Sequence, residues 1–175
     1  MRLEFSQAEY VQIFRKKQNV MSIRRAQTQD IPDILRLLVQ VNMVHHKARP
    51  DLFKGPATKY SAAELEEILR DDEKPVFVYT EGDKFLGYIF CQTEICEESP
   101  LRTGIRTLYI DDLCVDETAR GKHVGESLYR YALDYAKKMG FYNVTLHVWR
   151  GNDGAKAFYE KMGLKTQYIC MEQIL

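Results

Sequence analysis

Residues 107–127 read TLYIDDLCVDETARGKHVGES, and this stretch decides the fold. It opens with an apolar run rich in β-branched residues, which predicts a buried strand, although Asp111 and Asp112 interrupt it. A short charged segment containing Gly121 follows, and apolar residues then recur at helical spacing from Leu128 onward. The stretch therefore predicts a strand that enters a long helix through a glycine-containing turn.

A junction of this kind is suited to binding a phosphate. The first amides of a helix lack internal partners, and the helix dipole is positive there. Gly121 and Gly125 allow the backbone to approach a ligand closely, and Arg120 and Lys122 add positive charge. Taken alone, the fragment leaves two interpretations open: a phosphate site, or an ordinary helix entry with solvated basic residues.

The spacing Arg120-x-x-His123-x-Gly125 resembles the acyl-CoA-binding motif Q/R-x-x-G-x-G/A of the GNAT superfamily of N-acetyltransferases. The sequence departs from that pattern at His123, which stands at the position of the first glycine. A side chain there could narrow the approach to the phosphate.

A second segment, NDGAKAFYEKMGL at residues 152–164, resembles the superfamily pattern N-x-x-A-x-x-F-Y-x-x-x-G-F/L. Helical geometry brings Asn152 and Tyr159 to nearly one face, with the small Ala155 between them. Two motifs in the expected order are far more specific than either alone. The resemblance covers residues 21–175.

The resemblance implies an α/β (α+β) GNAT fold, with a mixed central sheet of about six or seven strands flanked by helices. Its parallel central strands are expected to splay apart. Residues 21–175 would form one domain, with a final strand or strand pair at 164–174. Residues 1–20 would be an N-terminal helical extension, unless Met21 is an alternative start. Ser61 and Glu64 have capping-box spacing and predict a helix from residue 62 to about residue 71.

The same resemblance implies acetyl-CoA as cosubstrate, with its pantetheine arm in the gap between the splayed strands. Backbone groups of Leu113, Cys114 and Val115 would bind that arm, beside Asn152 and Ala155. The pyrophosphate would be held by the helix entry: Arg120, Gly121, Lys122, His123, Val124, Gly125 and Glu126.

Tyr159 matches the tyrosine of the superfamily that acts as general acid toward the departing thiolate. A phenol stays protonated at neutral pH and can donate to a strongly basic leaving group. The segment YIDDLCV resembles YLEDFFV-type segments of spermidine/spermine acetyltransferases, which assigns Asp111 to the amine site, either for binding or for proton removal. Successive strand residues face opposite sides. We therefore expect Asp112 to point away and to make a structural hydrogen bond or ion pair.

Candidate contacts to the acceptor lie near the end of a helix predicted over residues 30–46. In the superfamily the loop between the first two helices helps to shape the acceptor site, which makes His45, Arg49 and Phe53 candidates. The alternative for His45 is a surface histidine at a helix C-terminus. The neighbouring His46 does not share its helix face, so the two make a poor metal pair.

The totals narrow the function class. Lys plus Arg equals Asp plus Glu at 25 each, which gives no general attraction for nucleic acid or an anionic membrane. The four cysteines form no C-x-x-C pair, and no metal site is expected. The N-terminus lacks a signal-peptide core, so a cytoplasmic location is expected.

Two functions follow from the sequence. The first is an N-acetyltransferase for a small-molecule amine or a lysine-type acceptor. The second is a CoA-binding sensor or interaction module that has lost catalysis. The oligomeric state stays open, with a homodimer as one option.

Overall fold

A five-stranded mixed sheet is the centre of this computed structural model, which describes residues 21–175. The predicted N-terminal helix therefore lies outside the described residues. The strands are adjacent in chain order, and every pair is antiparallel except the last, which is parallel. Their bounds are β1 Met21–Arg25, β2 Val76–Glu81, β3 Lys84–Cys96, β4 Ile105–Val115 and β5 Asn143–Leu146.

Two helices cover each face of the sheet. On one face lie α1 (Ile31–Ala48) and α2 (Ala62–Arg70), and on the other α3 (Val124–Lys138) and α4 (Asp153–Lys161). The predicted capping box begins α2: the Ser61 hydroxyl accepts from the Glu64 amide, and the Glu64 carboxylate accepts from the Ser61 amide at 2.7 Å. This layered arrangement confirms the predicted fold class.

The two sides of the sheet carry separate apolar cores. Ile34, Leu37 and Leu38 of α1 are fully buried on the first side, against Tyr88 of β3. On the second side α3 packs over Leu108 and Ile110 of β4 through apolar residues spaced four apart, which are Val124, Leu128 and Ala132. The strand β4 is thus covered on both sides, as expected for a strand between helical layers.

The C-terminal segment differs from the prediction. Residues 164–175 form no strand, so the expected final strand is wrong and the described sheet has five strands. Two polar contacts hold the segment to the domain instead: the Tyr168 hydroxyl lies 2.6 Å from Nε2 of His147, and Arg49 donates to Glu172 at 2.8 Å. Residues with a preference for strands form one only where a neighbouring strand offers a ladder.

Two helix and strand ends also differ. The sequence predicts that the long helix begins near residue 121, but α3 starts at Val124, because Gly121 and His123 adopt left-handed backbone conformations at φ +76° and +60°. The run YNVTLHVW at residues 142–149 is rich in β-branched and aromatic residues and predicts a strand over its whole length, but β5 is only four residues long. Within residues 21–175, no helix is both long enough and apolar enough to cross a membrane.

Candidate active site

A slot opens between the parallel strands β4 and β5. Their pairing covers Thr107–Ile110 and Asn143–Leu146 and then stops, while β4 continues to Val115. On its β3 side, β4 stays paired to its end. One edge of residues 111–115 is therefore free within the described structure. The slot is defined here as the space between this edge and the segment that joins β5 to α4.

The wide end of the slot meets a cluster of unpaired backbone amides. The amides of residues 121–126 donate no hydrogen bond to another described residue. Gly121 faces open space, and the His123 side chain is 76% exposed with its Nδ1 atom 3.1 Å from Glu126. The imidazole is therefore turned outward. Free amides at the start of a 15-residue helix form an anion-binding surface.

The start of α3 lies close to β4. A Cβ atom on Gly125 would meet Val115 at 3.4 Å, Leu113 at 3.7 Å and Phe158 at 3.7 Å. These are ordinary contact distances, so the packing of α3 on β4 could accommodate a methyl group here.

Side chains from α1 fix the end of β4. Gln40 donates to the carbonyl of Val115 at 2.9 Å and accepts from the Glu117 amide at 3.2 Å. Arg36 forms an ion pair with Asp116, and Thr118 donates to the same carboxylate. These hydrogen bonds, with that of Thr118 the stronger influence, lower the pKa of Asp116 to about 2. Of the predicted arm-binding residues, Val115 thus already uses its carbonyl.

A β-bulge places both acidic residues of β4 on one face of the sheet. Phe90 pairs with Asp112 and Cys91 with Ile110, so Asp111 is an extra residue without a partner across β3. Both carboxylates consequently point toward the α1–α2 layer. The expectation that the two acids face opposite sides is wrong, because the extra residue interrupts the two-residue alternation of the strand.

Asp111 lies immediately beyond the last β4–β5 pair, at the narrow end of the slot. Its two carboxylate oxygens accept from Nζ of Lys59 at 2.6 and 2.7 Å, and from the Tyr60 hydroxyl at 3.2 Å. The side chain of Asp111 is 16% exposed and that of Lys59 is 49% exposed. The carboxylate that the sequence assigns to the acceptor amine is therefore already paired with the ammonium group of Lys59.

Asp112 accepts a 2.8 Å hydrogen bond from the hydroxyl of Tyr88, a fully buried side chain. This is the structural hydrogen bond expected from the sequence. Burial raises the pKa of Asp112 to about 6, against the opposing effect of the Tyr88 bond, and the negative charge of Asp111 adds to the rise. A carboxylate with a pKa near neutrality can exchange a proton at physiological pH.

Tyr159 lies on α4 beside the ring of Tyr129, with ring centres 6.0 Å apart. Its hydroxyl makes no hydrogen bond to another described residue. Burial raises the pKa of Tyr159 well above its usual value, and the charge of Asp112 contributes to the same shift. The phenol of Tyr159 therefore stays protonated, and the negative charge of Asp112 helps to keep it so.

The two other residues predicted on α4 form its cap. The side-chain oxygen of Asn152 accepts from the Ala155 amide at 3.2 Å. The N-x-x-A part of the motif thus has a structural role in this chain. The Asn152 side-chain amide donates to no described residue and remains open to a ligand.

Two of the three candidate acceptor contacts, His45 and Phe53, belong to an aromatic group near the end of α1. The ring of His45 stacks on Phe53 at 5.1 Å, and Phe53 meets Trp149 edge-on at 5.1 Å. Burial lowers the pKa of His45, and the charge of Lys59 lowers it further. Arg49 is bound by Asp51 and Glu172 and anchors the C-terminal segment.

The comparisons with known proteins agree with this geometry. Residues 41–164 match the profile of the Acetyltransferase (GNAT) family. The chain belongs to the GNAT family.

Its GNAT relatives include an uncharacterized N-acetyltransferase of Methanocaldococcus jannaschii, 26% identical over 85% of this chain and 62% of that protein. The glucosamine 6-phosphate N-acetyltransferase of Arabidopsis thaliana is 35% identical over 44% of this chain and 50% of that protein. The chain thus spans about half to three fifths of the length of these two relatives.

Solved structures show the same fold. A mutant of the BH1408 protein from Bacillus halodurans is 32% identical, with a TM-score of 0.84 covering 88% of this chain and 99% of that one. An aminoglycoside acetyltransferase from an uncultured soil metagenomic sample, in complex with trehalose, has a TM-score of 0.64 at 20% identity. The aligned part covers 89% of this chain and 96% of the aminoglycoside acetyltransferase. At this identity the similarity concerns the fold alone.

The GNAT family implies acetyl-CoA, and the residues present fit such a group. The free amides at residues 121–126 suit a pyrophosphate, and the free edge of β4 offers hydrogen-bonding groups to an extended amide-containing arm. Across residues 21–175, no group of three or more His, Cys, Asp or Glu side chains is arranged to hold a metal ion.

Sequence reasoning missed several groups at this GNAT site. Lys59 and Tyr60 lie in a loop whose sequence has no hydrophobic periodicity. They contact Asp111 although more than fifty residues separate them from it in the chain. Gln40 is an ordinary polar residue of an amphipathic helix. Trp149 follows a strand and was indistinguishable from a strand residue. Only Asp112 carried a visible signal, as an acid within an otherwise apolar strand.

Proposed function

We propose that this protein is an N-acetyltransferase that transfers the acetyl group of acetyl-CoA to a primary amine by direct attack within a ternary complex. One observation carries the proposal. A slot with free amides at its wide end has two carboxylates at its narrow end, and the charge of one of them, Asp112, contributes to the raised pKa of the Tyr159 phenol. Acetyl-CoA would supply a thioester carbonyl open to attack and a thiolate leaving group.

Placement is the first contribution of the chain. The amides of residues 121–126, with Arg120 and Lys122 beside them, hold the pyrophosphate. The free edge of Leu113 and Cys114 orients the pantetheine arm by backbone hydrogen bonds. Holding two reactants in register removes much of the entropy cost of a bimolecular reaction, an effect worth several kcal/mol.

Proton transfer is divided between Tyr159 and Asp112. The Tyr159 hydroxyl, protonated and without a described hydrogen-bond partner, donates to the thiolate. Asp112 receives the amine proton, directly or through water, since its pKa of about 6 leaves it largely ionised at neutral pH. Asp111 binds the cationic form of the acceptor and keeps the amine at the narrow end of the slot.

The acceptor is a cationic amine. The relatives carry names for different amine acceptors, glucosamine 6-phosphate and peptidyl-lysine among them. In this chain the carboxylate of Asp111 already binds one ammonium group, that of Lys59, and His45, Phe53 and Trp149 provide aromatic surface. These features favour an amine that carries positive charge, such as a polyamine or a lysine side chain.

The first measurement is thiol release from acetyl-CoA with a panel of polyamines, amino acids, aminoglycosides and lysine peptides. The second is CoA binding, measured by calorimetry. We expect turnover with a cationic amine and its loss in the Asp111→Asn variant. Asp71→Asn is the matched control, because Asp71 also binds a lysine, Lys74, at 3.2 Å but lies outside the slot. CoA binding without thiol release for any amine would support the sensor alternative, and absence of both would overturn the proposal.

A further inference from the structure

Lys59 occupies the amine position of the slot. It lies in the loop between α1 and α2, three residues before Ala62 begins α2. Its Nζ atom contacts both oxygens of Asp111, at 2.6 and 2.7 Å, and Tyr60 donates to the same carboxylate. The chain therefore presents one of its own primary amines to the group that we assign to the acceptor.

The distance along β4 brings this amine to the reactive end of the slot. From Val115, next to the helix start, to Asp111 the strand advances four residues, or about 13 Å. An extended arm anchored on the amides of residues 121–126 and laid along the free edge would point its end toward Asp111. The Lys59 amine lies at that end.

The other described lysine ion pairs do not share this position. Lys74 pairs with Asp71, Lys137 with Asp134, and Lys156 with Glu160, each three or four residues apart in the chain. Among residues 21–175, the Lys59–Asp111 contact is the lysine ion pair that joins a distant loop to β4. Its long sequence separation indicates an arrangement made by the tertiary fold.

We propose that Lys59 is a self-acetylation site of this protein, with acetyl-CoA as the acetyl donor. The inference rests on the proposed acetyl transfer. Lys59 loses a proton to a nearby carboxylate or to water, and its lone pair forms a C–N bond to the acetyl carbonyl carbon. The nitrogen gives up its second proton and the C–S bond breaks, with the sulfur keeping the bonding electrons. Tyr159 protonates the sulfur to release CoA thiol, and the proton lost from nitrogen returns Tyr159 to its phenol form through water. The product is a neutral acetyl-lysine that no longer pairs with Asp111.

The experiment incubates the whole protein with isotopically labelled acetyl-CoA, without an added amine, and maps the label on lysines by peptide mass spectrometry. Lys74 is the internal reference, since it is also carboxylate-bound and its side chain is 52% exposed, against 49% for Lys59. We expect Lys59 to acquire label at least about tenfold faster than Lys74, because proximity to the donor favours it. The rate per molecule should not depend on protein concentration.

Two variants separate enzyme-directed from spontaneous acetylation. Lys59→Arg keeps a cation beside Asp111 and should remove the label at this position. Tyr159→Phe should slow labelling of Lys59 while leaving Lys74 unchanged. Equal labelling of the two lysines, or a Lys59 rate unaffected by Tyr159→Phe, overturns the inference.

The outcome is distinct from that of the proposed function. Turnover of external amines with an unlabelled Lys59 would contradict self-acetylation and leave the N-acetyltransferase proposal standing. The absence of both amine turnover and label would remove both.

Discussion

Asp111 and Asp112 are neighbours in the chain, and a β-bulge turns both carboxylates to the same face of β4. Their environments nevertheless differ. Asp111 binds the ammonium group of Lys59, whereas Asp112 accepts from the phenol of Tyr88 and has its pKa raised to about 6 by burial. These different surroundings support the different tasks that we propose for two identical side chains, cation binding for Asp111 and proton acceptance for Asp112.

The first prediction concerns the proton accepted by Asp112. If Asp112 is the base, kcat/KM should rise with pH through about 6 and level off above it, because only the ionised carboxylate accepts a proton. Asp112→Asn should remove this limb and lower kcat by about 100-fold or more. A rate profile in the variant that keeps the same limb would assign the titration to another group.

The same carboxylate affects stability. Its folded pKa of about 6 lies above the ordinary value of 3.8, so the folded state binds the proton more tightly than the unfolded state. The contribution of Asp112 is therefore fully present below the ordinary value and is lost as pH rises through about 6. Denaturant unfolding of wild type and Asp112→Asn across this window should show a smaller loss of stability in the variant.

Tyr159→Phe should lower kcat by about 100-fold with little change in CoA affinity. The hydroxyl binds no other described residue, so its removal leaves the packing of the ring against Tyr129 intact. Thermal unfolding should therefore change little. Steady-state kinetics and CoA calorimetry test this, with Tyr129→Phe as a matched aromatic control; an unchanged kcat would remove Tyr159 as the acid.

Gly125→Ala should separate folding from cofactor binding. The added Cβ meets Val115, Leu113 and Phe158 at ordinary contact distances, so the fold should tolerate it. Alanine also favours a helix over glycine by up to about 1 kcal/mol. We expect equal or higher resistance to denaturant together with weaker CoA binding, since a methyl group would narrow the approach to the free amides. Unchanged CoA affinity would mean that the cofactor does not approach this turn.

His123→Gly should stabilise the protein by about 1 kcal/mol, because His123 has a left-handed backbone that is unfavourable for residues with a Cβ atom. The exposed contact with Glu126 that would be lost contributes little. Chemical denaturation measures the change. Lys122→Gly is the comparison at the preceding position, where a positive φ is absent and stabilisation is not expected.

Lys59→Ala should lower KM for a cationic amine by about fivefold, since the acceptor then no longer displaces an ion pair worth up to about 1 kcal/mol. Neutral acceptors should show no comparable gain. Lys74→Ala, which removes a similarly exposed ion pair outside the slot, serves as the control. A higher KM for the cationic amine would instead show that Lys59 assists acceptor binding.

The wide end of the slot was predictable because local patterns encode it. A strand, a glycine turn and a helix start follow one another in residues 107–127. The second motif begins at Asn152 and places Tyr159 seven residues later, on nearly the same helix face. The acceptor end was less predictable. The bulge at Asp111 depends on how β3 pairs with β4, and Lys59 reaches Asp111 across 52 residues.

The sequence by itself determined the family, the strand-to-helix junction at residues 107–127 and the candidate acid Tyr159, because each depends on residues close together in the chain. Only the tertiary structure decided that Asp111 and Asp112 share a face of the sheet and that Lys59 forms an ion pair with Asp111. It also decided that residues 164–175 are held by side-chain contacts rather than by backbone hydrogen bonds to a neighbouring strand. These features depend on the pairing of distant backbone segments and on burial, which no local pattern of residues specifies.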